Sequence, residues 1–171
     1  MRILETTIEG AFVIEPEPAA DERGFFARIA DRDEFAKHGL VMPSTQWSVS
    51  YNAKRGTLRG LHYQLAPHGE VKLVRCTAGA IFDVIVDVRT RRWLGLELSA
   101  ENRKSLYVPA GCAHGFITLT DGAEVSYAIE GAYEPASARG LRWDDPALAI
   151  KWPDVDQRIL SDRDRAFPLL E

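Results

Sequence analysis

AIFDVIVDV, residues Ala80–Val88, alternates from end to end. Successive side chains of a strand point to opposite faces, so Phe82, Val84, Val86 and Val88 form one wholly apolar face. Ile81, Asp83, Ile85 and Asp87 form a mixed one. The apolar face predicts packing against a second sheet and the mixed face predicts a wet interior, which together describe the wall of a ligand-holding barrel.

The rest of the chain repeats this pattern in short pieces. Candidate strands are Ala11–Glu15, Phe25–Ile29, Thr45–Tyr51, Thr57–Gln64, Val71–Thr77, Leu94–Leu98, Ser105–Val108, His114–Leu119 and Glu124–Ile129. They are rich in branched and aromatic residues and separated by Gly, Pro, Asp or Asn, which predicts an all-β sandwich or closed barrel. Helix is sparse. Asp31–His38 has an acidic start, His38 in its last turn and Gly39 as a C-cap; Ser161–Arg165 is a second short candidate. No repeat or linker interrupts the chain, so a single domain over residues 1–171 is expected.

With 171 residues, 46% hydrophobic and 27% charged, the chain can bury one substantial core. Its net charge is -4. The signs are interspersed and no basic run tracks a phosphate backbone, which argues against nucleic acid as a partner. Glu5 and Glu9 stand where a signal peptide would be apolar. Asp83 and Asp87 break the most apolar stretch, so no bilayer span is expected. Cys76 and Cys112 lie in apolar segments and read as buried free thiols of a cytoplasmic protein, with a disulfide between them as the other option.

The chemistry-bearing residues concentrate in a few places. In GTLRGLHYQ (Gly56–Gln64), Arg59 and His62 would face opposite sides of an ideal strand; a bulge or bend at Gly60 would turn both inward. His62 is then either a base or a satisfied structural histidine. Lys72 shares a face with Val74 and Cys76, which suits either a specific ligand or an edge-strand gatekeeper. His114, in PAGCAHGF, is flanked by glycines that allow close backbone approach; a turn histidine bonded to a carbonyl is the alternative. His38 and His68 read as a helix-end and a loop residue. Ser161-Asp162-Arg163-Asp164 resembles a capping box, a role that Asp164 can combine with another. Tyr133, before a Glu-Pro turn, is on its own an ordinary turn aromatic. His62 is followed by Tyr63 and Gln64, not by a close second histidine, so the first shell for zinc or iron is poor and no metal is expected.

Taken together, DERGFF (Asp21–Phe26), TLRGLHYQ (Thr57–Gln64), KLVRC with GAIFDVIVDVR (Lys72–Arg89), LSAENRKSLYVPAGCAHGF (Leu98–Phe116), YAIEGAYEP, RWDDPALAIKWP (Arg142–Pro153) and LSDRD (Leu160–Asp164) resemble the dTDP-4-dehydrorhamnose 3,5-epimerase family. The resemblance implies a cupin-type jelly-roll barrel, a homodimer whose N-terminal strands cross to the partner, and a nucleoside-diphosphate 4-keto-6-deoxyhexose as substrate. It implies His62 as the base, Asp164 as the carboxylate that orients it, Lys72 beside the C4 oxygen, and Tyr133 as the acid on the opposite face. Arg23, Arg59 and His114 match contacts to the diphosphate or sugar, Phe26 lies near the nucleotide, and Gln46 stands at the polar wall. No cofactor is implied, because the ketone arrives with the substrate.

The chain departs from the family pattern at three points. Arg28 stands where Glu is expected, Ser48 where Asn is usual, and Arg89–Trp93 replaces a longer loop. All three fall by resemblance around the nucleotide end and rim of the pocket, where Arg28 and Ser48 are the substrate-contacting positions. Rival readings are a single-carbon epimerase or one acting on another nucleotide sugar, a non-catalytic sugar-binding cupin, and a metal-dependent cupin oxygenase.

Overall fold

The computed structural model describes residues 1–170. In chain order the elements are β1 (Arg2–Glu5), β2 (Phe12–Glu15), β3 (Ala19–Asp21), β4 (Gly24–Phe26), α1 (Arg32–Lys37), β5 (Gln46–Asn52), β6 (Leu58–Gln64), β7 (Val71–Ala78), β8 (Ala80–Asp87), β9 (Trp93–Ser99), β10 (Ser105–Val108), β11 (Cys112–Thr118), β12 (Ala123–Glu130), β13 (Ala138–Gly140) and α2 (Asp162–Arg165). Each expected strand has a counterpart, with ends moved by a few residues. β1, β3 and β13 were not expected. β3 carries no apolar alternation, and β13 is three residues long and exists through its pairing with β6.

Two sheets face each other. The larger runs β1-β2-β10-β7-β12-β5 and the smaller β13-β6-β11-β8-β9; β3 and β4 form a separate hairpin. From β5 to β12 the chain alternates between the sheets except at the β8–β9 hairpin, with partners 5·12·7·10 in one and 6·11·8·9 in the other. That is the strand order of a jelly roll, which covers most strand edges by pairing or by the opposing sheet. Between the sheets lie Val74, Cys76, Ile81, Ile85, Leu98, Leu106, Phe116 and Val125, each at most 1% exposed.

The mixed face of β8 points into the barrel as expected, but it is packed instead of wet, and the apolar face meets something other than a second sheet. Ile81, Asp83 and Ile85 point at the opposing sheet and are fully buried, so the interior is dry along much of this strand. Its apolar face, with Val84 and Val86, packs on Leu141, Leu148, Ile150, Trp152 and Leu170 of the C-terminal segment. This covering segment is mostly irregular and shows no period, so alternation alone does not reveal it. Asp145 ties it down, accepting the Ala147 N–H at 2.8 Å and the Leu170 N–H at 2.6 Å. Trp152 donates its ring N–H to the Trp143 carbonyl.

On the outer side of the larger sheet, α1 lays Phe35 onto Ile14, Leu73 and Tyr107. Asp31 caps this helix by accepting the Asp33 and Glu34 N–H groups, and Gly39 ends it at φ 70°. The rest of that face, at β5, leaves Trp47, Val49 and Tyr51 more than 60% exposed. Cys76 and Cys112 are free and buried. No helix among the described residues is long and apolar enough to cross a membrane.

Candidate active site

Gly60 brings Arg59 and His62 to the same side of β6. Its φ is +114°, and the pairing with β11 slips there: His62 stands opposite His114 but Arg59 opposite Phe116, so β6 carries one extra residue. A Cβ on Gly60 would lie 2.6 Å from Gly115 Cα and 2.7 Å from the His114 carbonyl oxygen; one on Gly115 would lie 2.5 Å from the Arg59 carbonyl oxygen. Two glycines therefore meet backbone to backbone. Arg59 and His62 both line a cavity of about 580 Å³, within the usual size of a small-molecule site.

The carboxylate beneath His62 comes from 102 residues downstream. Ile159 joins the start of β6 through the Leu58 N–H and the Gly56 carbonyl, at 2.8 and 2.9 Å. That tether sets α2 below the strand. Ser161 caps α2 by accepting the Asp164 N–H at 3.1 Å. The Asp164 side chain turns inward, where Oδ1 lies 2.7 Å from His62 Nε2 and Oδ2 accepts the Gly60 N–H at 3.2 Å. Asp164 thus gives its N–H to the Ser161 cap and its carboxylate to His62 and Gly60, so the cap is one-sided and the reciprocal bond of a capping box is not made. Burial on its own would raise the Asp164 pKa; the hydrogen bond and charge of His62, the Gly60 N–H and Ser161 outweigh it and hold the carboxyl below its ordinary value. With the Asp164 carboxylate accepting a hydrogen bond from Nε2–H, the neutral imidazole of His62 keeps its lone pair on Nδ1. Phe167 packs edge-on against the imidazole at 5.7 Å, above Gly140, whose missing side chain makes room for the ring.

A second histidine–carboxylate pair lies beside the first. His114 Nε2 is 2.7 Å from Asp83 Oδ1, and both residues are buried. Burial pushes the Asp83 carboxyl up, against the opposing pull of His114 and then Lys72. His114 is therefore satisfied by a carboxylate and not by a turn carbonyl. Asp83 stands one strand away on the same inward face, so its alternation in Ala80–Val88 and the glycine-flanked His114 together carried a signal for the pair. Lys72 faces the same cavity, with Nζ 3.1 Å from Glu70 Oε2 and both side chains close to buried.

The cavity thus gathers His62, Asp164, Lys72, Arg59, His114 and Ser48. It also holds Tyr127 and Arg163, which the sequence did not single out; Arg163 sits over the Phe167 ring. Asn52, buried and likewise missed, steadies Arg59 by accepting its Nε–H at 2.7 Å. Gln46, two residues before Ser48 on β5, does not line the cavity; it donates to the Gly131 carbonyl at 2.8 Å. Tyr133 is 56% exposed and stands outside the cavity lining. Arg23 pairs with Asp21 on the β3–β4 hairpin, Phe26 projects beside it at 74% exposure, and Arg28 pairs with Asp31 at 2.9 Å. Those three do not line the cavity of their own chain. Among the described residues, no group of three or more His, Cys, Asp or Glu side chains is arranged to hold a metal ion.

The site offers a tautomer-fixed imidazole, a nearly buried ammonium, and guanidinium groups at the rim. That set suits proton abstraction next to a carbonyl on an anionic substrate. The sequence model of the family described as dTDP-4-dehydrorhamnose 3,5-epimerase matches residues 5–171. A dTDP-4-dehydrorhamnose 3,5-epimerase of Sinorhizobium fredii is 44% identical, over 92% of this chain and 84% of its own. The crystal structure of the enzyme of that name from Bacillus anthracis, with TDP and PPi bound, has a TM-score of 0.93 and 41% identity over 99% of both chains. The dTDP-6-deoxy-D-glucose-3,5-epimerase of Legionella pneumophila, in complex with dTDP-4-keto-L-rhamnose, has a TM-score of 0.91 and 37% identity over 98% of this chain and 92% of its own.

Proposed function

This chain belongs to the dTDP-4-dehydrorhamnose 3,5-epimerase family, and we propose that it inverts the carbons flanking the ketone of a dTDP-linked 4-keto-6-deoxyhexose. The observation that carries the reading is the His62–Asp164 pair at the wall of a cavity that also presents Lys72. A proton on C3 or C5 is acidified by the C4 ketone, because the carbanion left behind delocalises into an enolate. His62 Nδ1 takes that proton, and Asp164 favours the imidazolium that results. Lys72 offsets the negative charge that develops on O4. Tyr133 returns a proton to the opposite face, which completes inversion. Arg59, His114 and Arg163 serve the sugar and diphosphate, with Ser48 and Gln46 on the polar side. The ketone supplies the electron sink, so the reaction asks for no redox cofactor.

A homodimer fits the surface. Trp47, Val49 and Tyr51 form an uncovered apolar stripe on an edge strand, and the β3–β4 hairpin exposes Phe25 and Phe26 beyond the barrel. In that assembly Arg23 and Phe26 of each subunit would complete the nucleotide end of the other's site, and Arg28 would stand near it. The whole chain then works as one domain, in the cytoplasm where nucleotide sugars are made. The test is proton NMR of dTDP-4-keto-6-deoxyglucose with the protein in heavy water. The wild type exchanges and inverts C3 and C5; folded His62→Asn loses both by about 10²–10⁴-fold or more. Near-normal exchange in that variant would overturn the assignment.

A further inference from the structure

The strand that carries His62 also holds the loop that carries Tyr133. β12 ends at Glu130 in the larger sheet, and the chain then crosses to the smaller sheet, where β13 starts at Ala138 and pairs with β6. Tyr133 stands in that crossing. Gln64, two residues beyond His62 and only 4% exposed, binds the loop on both sides of it. Gln64 Nε2 donates to the Ala132 carbonyl at 3.0 Å, and Oε1 accepts the Glu134 N–H at 2.7 Å. The remaining amide N–H goes to the His68 carbonyl at 2.8 Å, so both donors are used. Just upstream, Gln46 holds the carbonyl of Gly131, the residue whose φ of +109° bends the chain into the crossing.

We propose that Gln64 is a positioning residue for proton delivery by Tyr133, an inference that rests on the acid role given to Tyr133 above. With residues 132 and 134 bonded to a buried side chain of β6, the backbone of the loop is referred to the strand of the base. With the backbone on both sides of it fixed, Tyr133 has its own side-chain torsions left for turning toward the sugar. One rigid segment thereby sets the distance between the group that removes a proton and the group that returns it. Such spacing matters because a displacement of about 1 Å can cost on the order of 10²-fold in rate.

The experiment measures, in heavy water, how much epimer forms per deuterium washed into the sugar, for wild type, Tyr133→Phe, Gln64→Leu and Gln64→Glu. Abstraction by His62 is common to both products, so the ratio isolates return to the opposite face. Gln64→Leu should lower it by roughly tenfold or more toward the Tyr133→Phe value, and the double variant should be no worse than Tyr133→Phe alone. Gln64→Glu keeps an acceptor for Glu134. As a carboxylate it has no donor for Ala132 or His68, and as a carboxylic acid it has one. Its ratio should therefore recover as pH falls, a rescue that a general loss of packing does not produce. A wild-type ratio in Gln64→Leu, with a lowered one in Tyr133→Phe, would overturn the role of Gln64 and leave the acid in place. A wild-type ratio in Tyr133→Phe would instead remove the acid assignment, and the inference with it. If Gln64→Leu does not fold, the pH dependence of Gln64→Glu decides; a flat ratio rejects the proposal.

Discussion

Replacing Gly60 by alanine tests how the fold assembles the site. The new Cβ would meet the backbone of the neighbouring strand at two points, 2.6 Å from Gly115 Cα and 2.7 Å from the His114 carbonyl oxygen. Neither atom belongs to a flexible side chain, so the strands must separate. The residue must also hold φ near +114°, a region that L side chains rarely occupy. Holding an unfavourable backbone angle costs about 1–3 kcal/mol, and overpacking a well-filled contact costs about the same. The two together come to about 2–6 kcal/mol, against a total stability of about 5–15 kcal/mol for an ordinary domain. Gly115→Ala brings the same kind of clash from the other strand, 2.5 Å from the Arg59 carbonyl oxygen, but without a positive φ. It should cost only about 1–3 kcal/mol. Urea unfolding followed by tryptophan fluorescence gives both values. Proton exchange, assayed where Gly60→Ala is still folded, should fall well beyond the loss of stability, because straightening the bulge returns Arg59 and His62 to opposite faces. Gly60→Ala within about 0.5 kcal/mol of wild type, or a stable variant with normal exchange, would refute the argument.

Asp164→Asn leaves the Ser161 cap in place but removes the charge beside His62; turnover should fall by about 10²–10⁴-fold while the protein stays folded. The Asp164 pKa is held below its ordinary value, so its stabilising contribution is complete above about pH 3.9 and is lost as pH falls through the lower folded value. Acid unfolding of Asp164→Asn should lack that component, and superimposable acid curves would reject the linkage. Burial raises the Cys76 and Cys112 pKa values to about 11 and about 12, so a thiol reagent at pH 8 should label neither in the folded protein and both in urea. Asp31→Ala removes the cap of α1 and should cost about 0.5–2 kcal/mol, whereas Arg28→Ala, which breaks only an exposed pair with Asp31, should cost less than about 1 kcal/mol.

What alternation can report is the part of the fold made of half-buried strands, and that part was legible. Ala80–Val88 announced itself because Asp83 and Asp87 fall on one face of it. The use of its two faces was not legible, since that depends on what covers them. Val84 and Val86 meet an irregular segment from Leu141 to Leu170 that no period marks. The bulge at Gly60 could be suspected from the need to bring Arg59 and His62 together, yet its partner, Gly115, belongs to another strand. Asp164 was visible as the third helical position after the Ser161 cap, and its approach to His62 depends on the tether at Ile159. β13 and the contacts of Gln64 are likewise products of tertiary pairing, and three residues such as Ala138-Arg139-Gly140 have no local reason to be a strand.

The two histidine–carboxylate pairs show how environment assigns roles to the same residue types. They sit on paired positions of β6 and β11, and each joins Nε2 to a carboxylate oxygen at 2.7 Å. Around His62 the side chain is 41% exposed, and the hydrogen bonds to Asp164 hold that carboxyl in its charged form. A proton arriving on Nδ1 is met by a fixed negative charge, and the cavity gives the substrate access to it. Around His114 the side chain is 6% exposed and Asp83 is fully enclosed, with one carboxyl oxygen lacking any hydrogen-bond partner. Burial there works against the charged carboxylate, and little of the His114 ring is open to a substrate. Separated environments of this kind sort otherwise equivalent groups into an acid–base partner and a fixed polar wall. On the proposed reaction, His62 is therefore the histidine suited to carry charge through the cycle, and His114 the one suited to hold the substrate still.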